Sequence, residues 1–181
     1  MLISEQYRAE QRRLHETTEY GVASLQFAPI VSNLIDQLEV DTVLDYGAGR
    51  GNLLKGMKTR PPRRTVEIEL YDPAVPAISA PPERAELVTC IDVLEHIEPE
   101  LLVNVLDDLQ RLARAYVFLT IHTGPAKKVL SDGRNAHLTQ QPPSWWMPHL
   151  LARWDLLEAK RVGPGFVFIG AAPAPRLEIA R

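Results

Sequence analysis

A carboxylate and three glycines at alternate positions, Asp45-x-Gly47-x-Gly49-x-Gly51, follow the apolar run Thr42-Val43-Leu44 and precede Asn52-Leu53-Leu54. The spacing reads as a buried strand that breaks at glycines into a helix. At such a junction backbone can approach a ligand closely and helix-start N–H groups are open to it. A dinucleotide loop, G-x-G-x-x-G, would need its third glycine at position 52, where the chain has Asn52. A carboxylate two residues before the first glycine repels a pyrophosphate and suits a cationic group such as a ligand's ammonium. Asp72, in Tyr71-Asp72-Pro73, ends another strand-like stretch, the place where ligands bind in open parallel sheets. Asp92 follows Cys90-Ile91 and opens Asp92-Val93-Leu94-Glu95-His96, as a ligand contact at a strand mouth or as a helix cap.

A second concentration of chemistry lies between Thr120 and Trp146, in a segment that reads as loop. His137 is a candidate general base for a hydroxyl or amine nucleophile, with His122 as the alternative. Arg134 could hold a phosphate or carboxylate, and Asp132-Gly133 favours a turn. His96, Asp132, Arg134, Asn135 and Trp145 are the candidate substrate contacts, against the plainer reading in which the loop satisfies itself and an indole packs in the core. His122, Asp132 and His137 could together bind a divalent ion, but their separation is no recognised ligand spacing, so no metal is assigned. A Ser-His-Asp hydrolase finds no G-x-S-x-G elbow here.

These residues need a scaffold, and the chain is sized for one domain at 181 residues. Hydrophobic residues make up 45% and charged residues 24%, an ordinary globular composition. The net charge of −3 gives no global basic field for gripping nucleic acid. The single cysteine, Cys90, excludes an internal disulfide, and no apolar run reaches the roughly 18 residues needed to cross a membrane. A cytoplasmic protein without a membrane partner is the expectation.

Charged Glu5 to His15 reads as a surface helix, and Val22 to Leu38 as a second one carrying Leu25, Ile30, Leu34, Ile35 and Leu38 on its apolar face. The two could fold over the site as a lid. Strands are expected over Thr65–Tyr71, Glu86–Ile91 and Tyr116–Ile121, with a short helix from Arg50 to Lys58 and a long one opened by Glu98-Pro99. Six of the fifteen prolines fall at positions 61, 62, 73, 76, 81 and 82, which makes that stretch loop-rich. Trp154–Val162 and Phe166–Ala171, joined by Gly163-Pro164-Gly165, form a terminal hairpin. The pattern predicts an α/β fold with one doubly wound, mostly parallel sheet and a C-terminal antiparallel hairpin. The expected organisation is N-terminal helices over 1–40, a binding core over 41–122, a substrate loop region over 123–150 and the hairpin over 151–181.

Three motifs in this order resemble class I S-adenosylmethionine-dependent methyltransferases: the Asp45 to Gly51 loop, Tyr71-Asp72-Pro73, and Thr89-Cys90-Ile91-Asp92-Val93-Leu94-Glu95-His96-Ile97. The resemblance covers about 42–121, and the terminal hairpin matches the family's reversed last strand. It implies S-adenosyl-L-methionine as cofactor, held by Asp45, Gly47, Ala48, Gly49, Asp72, Pro73, Ile91 and Asp92. Asp72 would accept from the ribose hydroxyls. Between Pro73 and Arg84, where the family has its third strand, the chain is short and rich in proline, so that strand is expected to be missing or rudimentary. Ala74, Val75 and Ile91 are the nearest residues for flanking adenine. The resemblance implies methyl transfer to an O or N nucleophile of a small or medium polar acceptor. Two alternatives stand beside it: a nucleic-acid methyltransferase, which lacks the N-P-P-W type of motif here, and a non-catalytic binding or regulatory protein keeping the fold.

Overall fold

The computed structural model describes residues 1–17 and 22–174. Its sheet contains β1 (Thr42–Tyr46), β2 (Glu67–Tyr71), β3 (Ala85–Ile91), β4 (Ala113–His122), β5 (Asp155–Val162) and β6 (Gly165–Ala171), in the order β2-β1-β3-β4-β6-β5. The first four strands are parallel, while β6 runs antiparallel to both β4 and β5. The doubly wound sheet and its reversed hairpin are therefore as the sequence pattern predicts.

Alternation along the strands assigns each side chain to one of two cores. Val43 and Leu87 point to the layer of α2 (Ala23–Leu38) and α3 (Asn52–Met57), where they meet Phe27, Val31, Ile35 and Leu53. Their neighbours Leu44 and Val88 point the other way, to α4 (Leu102–Leu112) and α5 (Pro143–Leu151). With helices on both faces, the central strands are mostly apolar, which is why Tyr116–Ile121 has no regular polar alternation. On α4, Leu102, Val105, Leu106, Leu109 and Leu112 are buried along one stripe. Each such leucine contributes about 1.5–3 kcal/mol of burial free energy.

Three expectations need correction. On α2 the buried face is Phe27, Ala28, Val31, Leu34 and Ile35, whereas Leu25 and Ile30 are 44% and 46% exposed. The first set keeps the spacing of one helical stripe; Leu25 and Ile30 fall on the other side of it. Second, 123–150 is not all loop, since α5 runs from Pro143 to Leu151 and buries Trp146 and Leu150. Proline suits a first helical turn because its missing N–H would have no partner there, so Pro142-Pro143 starts a helix rather than preventing one. Third, α1 (Glu5–Thr17) is more than a surface helix, for Tyr7, Gln11 and Leu14 are buried.

Between Tyr71 and Ala85 the chain makes one 3-10 turn, Pro76–Ile78, and no strand, leaving β2 at the edge of the sheet. The family's third strand is thus absent, in keeping with the prolines at 73, 76, 81 and 82, which cannot donate to a ladder. The N-terminal segment crosses the carboxyl ends of the strands instead, packing Ile3, Tyr7 and Leu14 against Ala74, Leu130 and Ala136. It is tied down twice. Ser4 donates through N and Oγ to Glu98 at 2.9 and 2.6 Å. Ser131 donates through N and Oγ to Glu10 at 2.9 and 2.8 Å.

Candidate active site

The connection from β1 runs to β2 on one side and that from β3 runs to β4 on the other, which opens a crevice at the carboxyl ends of the adjacent strands β1 and β3. A cavity of about 720 Å3 occupies it, within the range of small-molecule sites. One end is walled by Asp45, Gly47, Ala48, Gly49, Asp72 and Pro73, with Ala74 and Ile91 adding apolar surface. The other end is walled by Asp92, His96, His122 and His137, and Leu2, Ile3, Tyr7 and Gln11 close it from the α1 side. All eight cofactor candidates and the two general-base candidates therefore share one cavity, together with His96 from the substrate set.

The glycine loop is shaped by left-handed backbone, with φ of 77° at Gly47, 51° at Gly49 and 66° at Gly51. At Gly47 there is also no room: a Cβ would lie 2.5 Å from Val93 Cγ2. Val93 belongs to the third motif, so the first and third motifs interlock and not only flank a common ligand. The Gly47 and Ala48 N–H groups both donate to Tyr71 O, at 2.8 and 3.0 Å, drawing the loop towards the end of β2. Asp72 completes the link by accepting from Gly49 N–H at 3.0 Å through one oxygen and from Ala74 N–H at 2.8 Å through the other. Its carboxylate is thereby fixed at the cavity wall.

Asp45 sits opposite Thr89 on the paired strand and accepts from Thr89 Oγ1 at 3.1 Å. Burial pushes its carboxyl up to about 7, against the Thr89 bond, which favours the ionised form, and with a smaller push from nearby Asp72. Among the described residues no cation offsets this rise, and an ammonium entering the cavity would do so. The donor set of this end thus fits the methionine and ribose parts of S-adenosylmethionine.

At the other end the fold fixes two imidazoles by their backbone partners. His96 Nδ1–H donates to Ala136 O and His137 Nδ1–H donates to Gly124 O, each at 2.7 Å. A carbonyl can only accept, so in both neutral rings Nε2 carries the lone pair. The His137 ring meets those of His96 and His122 edge-on, with centroids 4.7 Å away in each case. Burial holds the His137 pKa below the ordinary histidine value, and His122 adds to that depression. His122 Nδ1 lies 3.1 Å from both the N–H and the carbonyl of Gly124, contacts that require opposite roles, so its tautomer is not fixed by the fold. Asp92 has φ of 51° and accepts from Thr120 Oγ1 at 2.5 Å.

Four substrate candidates stand outside the cavity wall. Asp132 and Arg134 pair with each other at the surface, Arg134 Nε donating to Asp132 at 2.8 Å. Asn135 is a loop brace: Oδ1 accepts from Ala126 N–H and His137 N–H, both at 2.9 Å, and Nδ2 donates to Ala126 O at 2.8 Å. It positions His137 rather than facing the cavity. Trp145 lies on α5 against Trp146 and His149. Tyr7 and Gln11 are wall residues that sequence reasoning passed over. Their one local signal is the i, i+4 spacing with Ile3 that gives α1 a buried face.

The sequence profile of a family described as a methyltransferase domain matches residues 14–156. The chain belongs to that family. Solved methyltransferases share its fold at low identity. An O-methyltransferase family protein from Burkholderia thailandensis superposes with a TM-score of 0.63 at 13% identity, covering 97% of this chain and 64% of that one. The 1,6-didemethyltoxoflavin-N1-methyltransferase of the same organism, with 1,6-didemethyltoxoflavin and S-adenosylhomocysteine bound, gives 0.65 at 17%, covering 96% and 92%. Magnesium protoporphyrin IX methyltransferase from Synechocystis PCC 6803, with S-adenosylhomocysteine bound, gives 0.55 at 14%, covering 93% and 95%. The chain thus spans less than two thirds of the first of these methyltransferases and nearly all of the other two. By sequence, no curated protein matches it. Among the described residues, no helix of this methyltransferase fold is long and apolar enough to cross a membrane.

Proposed function

We propose that the chain is an S-adenosylmethionine-dependent methyltransferase acting on an O or N nucleophile of a small or medium polar acceptor. The observation that carries this reading is the single cavity joining the acidic cradle of Asp45 and Asp72 to the imidazole cluster of His96, His122 and His137. Bound S-adenosylmethionine supplies a methyl group already activated on a sulfonium, so the protein's task is alignment and proton removal. Asp45 holds the ammonium, Asp72 accepts from the ribose hydroxyls, and Ala74 with Ile91 offers apolar surface to the base. His122, at the carboxyl end of β4 and able to exchange its proton between two nitrogens, takes the acceptor's proton. The α1 side, through Ile3 and Tyr7, gives the acceptor a largely apolar wall and keeps water from the reacting atoms. That lining and the net charge of −3 favour a small molecule over nucleic acid.

Calorimetry with S-adenosylmethionine and S-adenosylhomocysteine tests the reading. One site per chain is expected for each, with binding lost in Asp45→Ala. Failure of both ligands to bind at high micromolar concentration would sink it.

A further inference from the structure

We propose that Glu95, His96 and His137 form a binding site for a divalent first-row transition ion such as Zn2+ at the acceptor end of the cavity. Each offers one ligating atom, and the three atoms all lie within 4.8 Å of one another. Two imidazoles and a carboxylate are a set that divalent zinc, iron and manganese accept, and three protein ligands leave coordination positions open for a substrate.

The fold prepares each member of this trio. In His96 and His137 the backbone bonds of Nδ1–H to Ala136 O and Gly124 O settle the tautomer, so that Nε2 is the basic nitrogen in both. Metal-ligating histidines are oriented in this way, by a carbonyl or carboxylate behind the ring. Glu95 is 0% exposed. Its Oε1 accepts from His122 N–H at 2.9 Å, while Oε2 is buried with no hydrogen-bond partner among the described residues. A carboxyl group placed there with one oxygen unsatisfied is costly, and a bound cation is what would offset it. The backbone adds a further constraint: Thr139 N–H donates to Glu95 O at 2.9 Å, pinning the 137–139 loop against the turn that carries Glu95 and His96. Metal bonds of about 2.0–2.2 Å place neighbouring ligands about 3 Å apart, so a side-chain rotation brings the trio together on binding. His96 and His137 already face the cavity, which gives an ion its way in.

The role of the ion rests on the proposed methyl transfer and narrows it to an oxygen acceptor. A hydroxyl coordinated through oxygen becomes more acidic and gives its proton to His122. The oxygen then forms the new O–C bond as the methyl C–S bond breaks, and the C–S electron pair remains on sulfur as the neutral thioether.

The test uses the full chain freed of metal by chelation and titrated with Zn2+ and, separately, Co2+. One saturable site with Kd of about 10 μM or tighter is expected for Zn2+. Glu95→Gln and His137→Gln should each weaken it about a hundredfold or more, beyond what loss of an orienting partner causes. In the unsubstituted protein, Zn2+ should move the Nε2 resonances of His96 and His137, a readout that does not depend on any variant folding. Absence of a saturable site, or binding that leaves those two resonances unmoved, overturns the proposal. S-adenosylhomocysteine calorimetry on the same metal-free sample separates the two readings. Binding of that ligand without metal binding removes the metal site alone, and metal binding without that ligand removes the methyl-transfer reading alone.

Discussion

Replacing Asp45 with asparagine should stabilise the ligand-free protein while abolishing its grip on the cofactor. The side chain is 3% exposed, and burial lifts its carboxyl from 3.8 to about 7. Because the folded value lies above the unfolded one, the native state holds the proton more tightly. Stability is then greatest below the unfolded pKa, falls as pH rises from about 4 through about 7, and levels off by about pH 8. The rise from 3.8 to about 7 corresponds to about 4 kcal/mol. Asparagine keeps the shape and cannot ionise. Urea denaturation of both proteins, subtracted at each pH to cancel every other titrating group, should show the variant gaining about 2.5 kcal/mol on wild type between pH 5 and pH 8. The slope should be steepest between pH 5 and pH 6, about midway between the two values, and fade above about pH 8. Cofactor affinity should move oppositely: in wild type it weakens by up to about tenfold per unit as pH falls below 7, since the ammonium needs the ionised carboxylate, and in Asp45→Asn it is weak at every pH. A stability difference that is flat with pH, or a variant that binds S-adenosylhomocysteine as well as wild type, would refute the account of Asp45.

Gly47→Val combines a positive φ with a Cβ 2.5 Å from Val93, so it should cost about 3 kcal/mol or more by denaturant titration and remove S-adenosylhomocysteine binding in calorimetry. His122→Ala should leave that binding within about twofold while lowering kcat by about a hundredfold or more, once an acceptor is in hand. Arg134→Ala, by contrast, removes only a surface pair with Asp132 and should change cofactor affinity less than twofold. In α4, Leu109→Ala should destabilise by about 2–5 kcal/mol, whereas Val103→Ala, at a position 50% exposed, should stay within about 0.5 kcal/mol.

What could be read from the chain was what neighbouring residues decide among themselves. Strand ends, the glycine turn and the apolar stripe of α4 are each written within a dozen residues, and their order along the chain was enough to give the sheet. The 120–146 segment resisted because its bonds run across the sequence or turn inward. Asp132 is taken up by Arg134, Asn135 by Ala126, and His137 by Gly124, so three polar residues of similar promise end in a surface pair, a brace and a cavity wall. Glu95 stood in plain view in its motif, but its burial and its nearness to His137 depend on a loop that begins some thirty residues later.

The missing strand has a consequence for how copies of this protein meet. Among the described residues no strand lies beyond β2, so the sheet ends there in an edge, the form of surface on which strands from other molecules add. Glu67 and Glu69 stand exposed on that edge strand, and Glu69 also accepts from Glu83 N–H at 3.2 Å, bringing a third acidic residue alongside. Two such edges approaching each other would set like charges face to face. The charge takes over the shielding that another strand would have given, so pairing of two copies edge to edge through β2 is disfavoured.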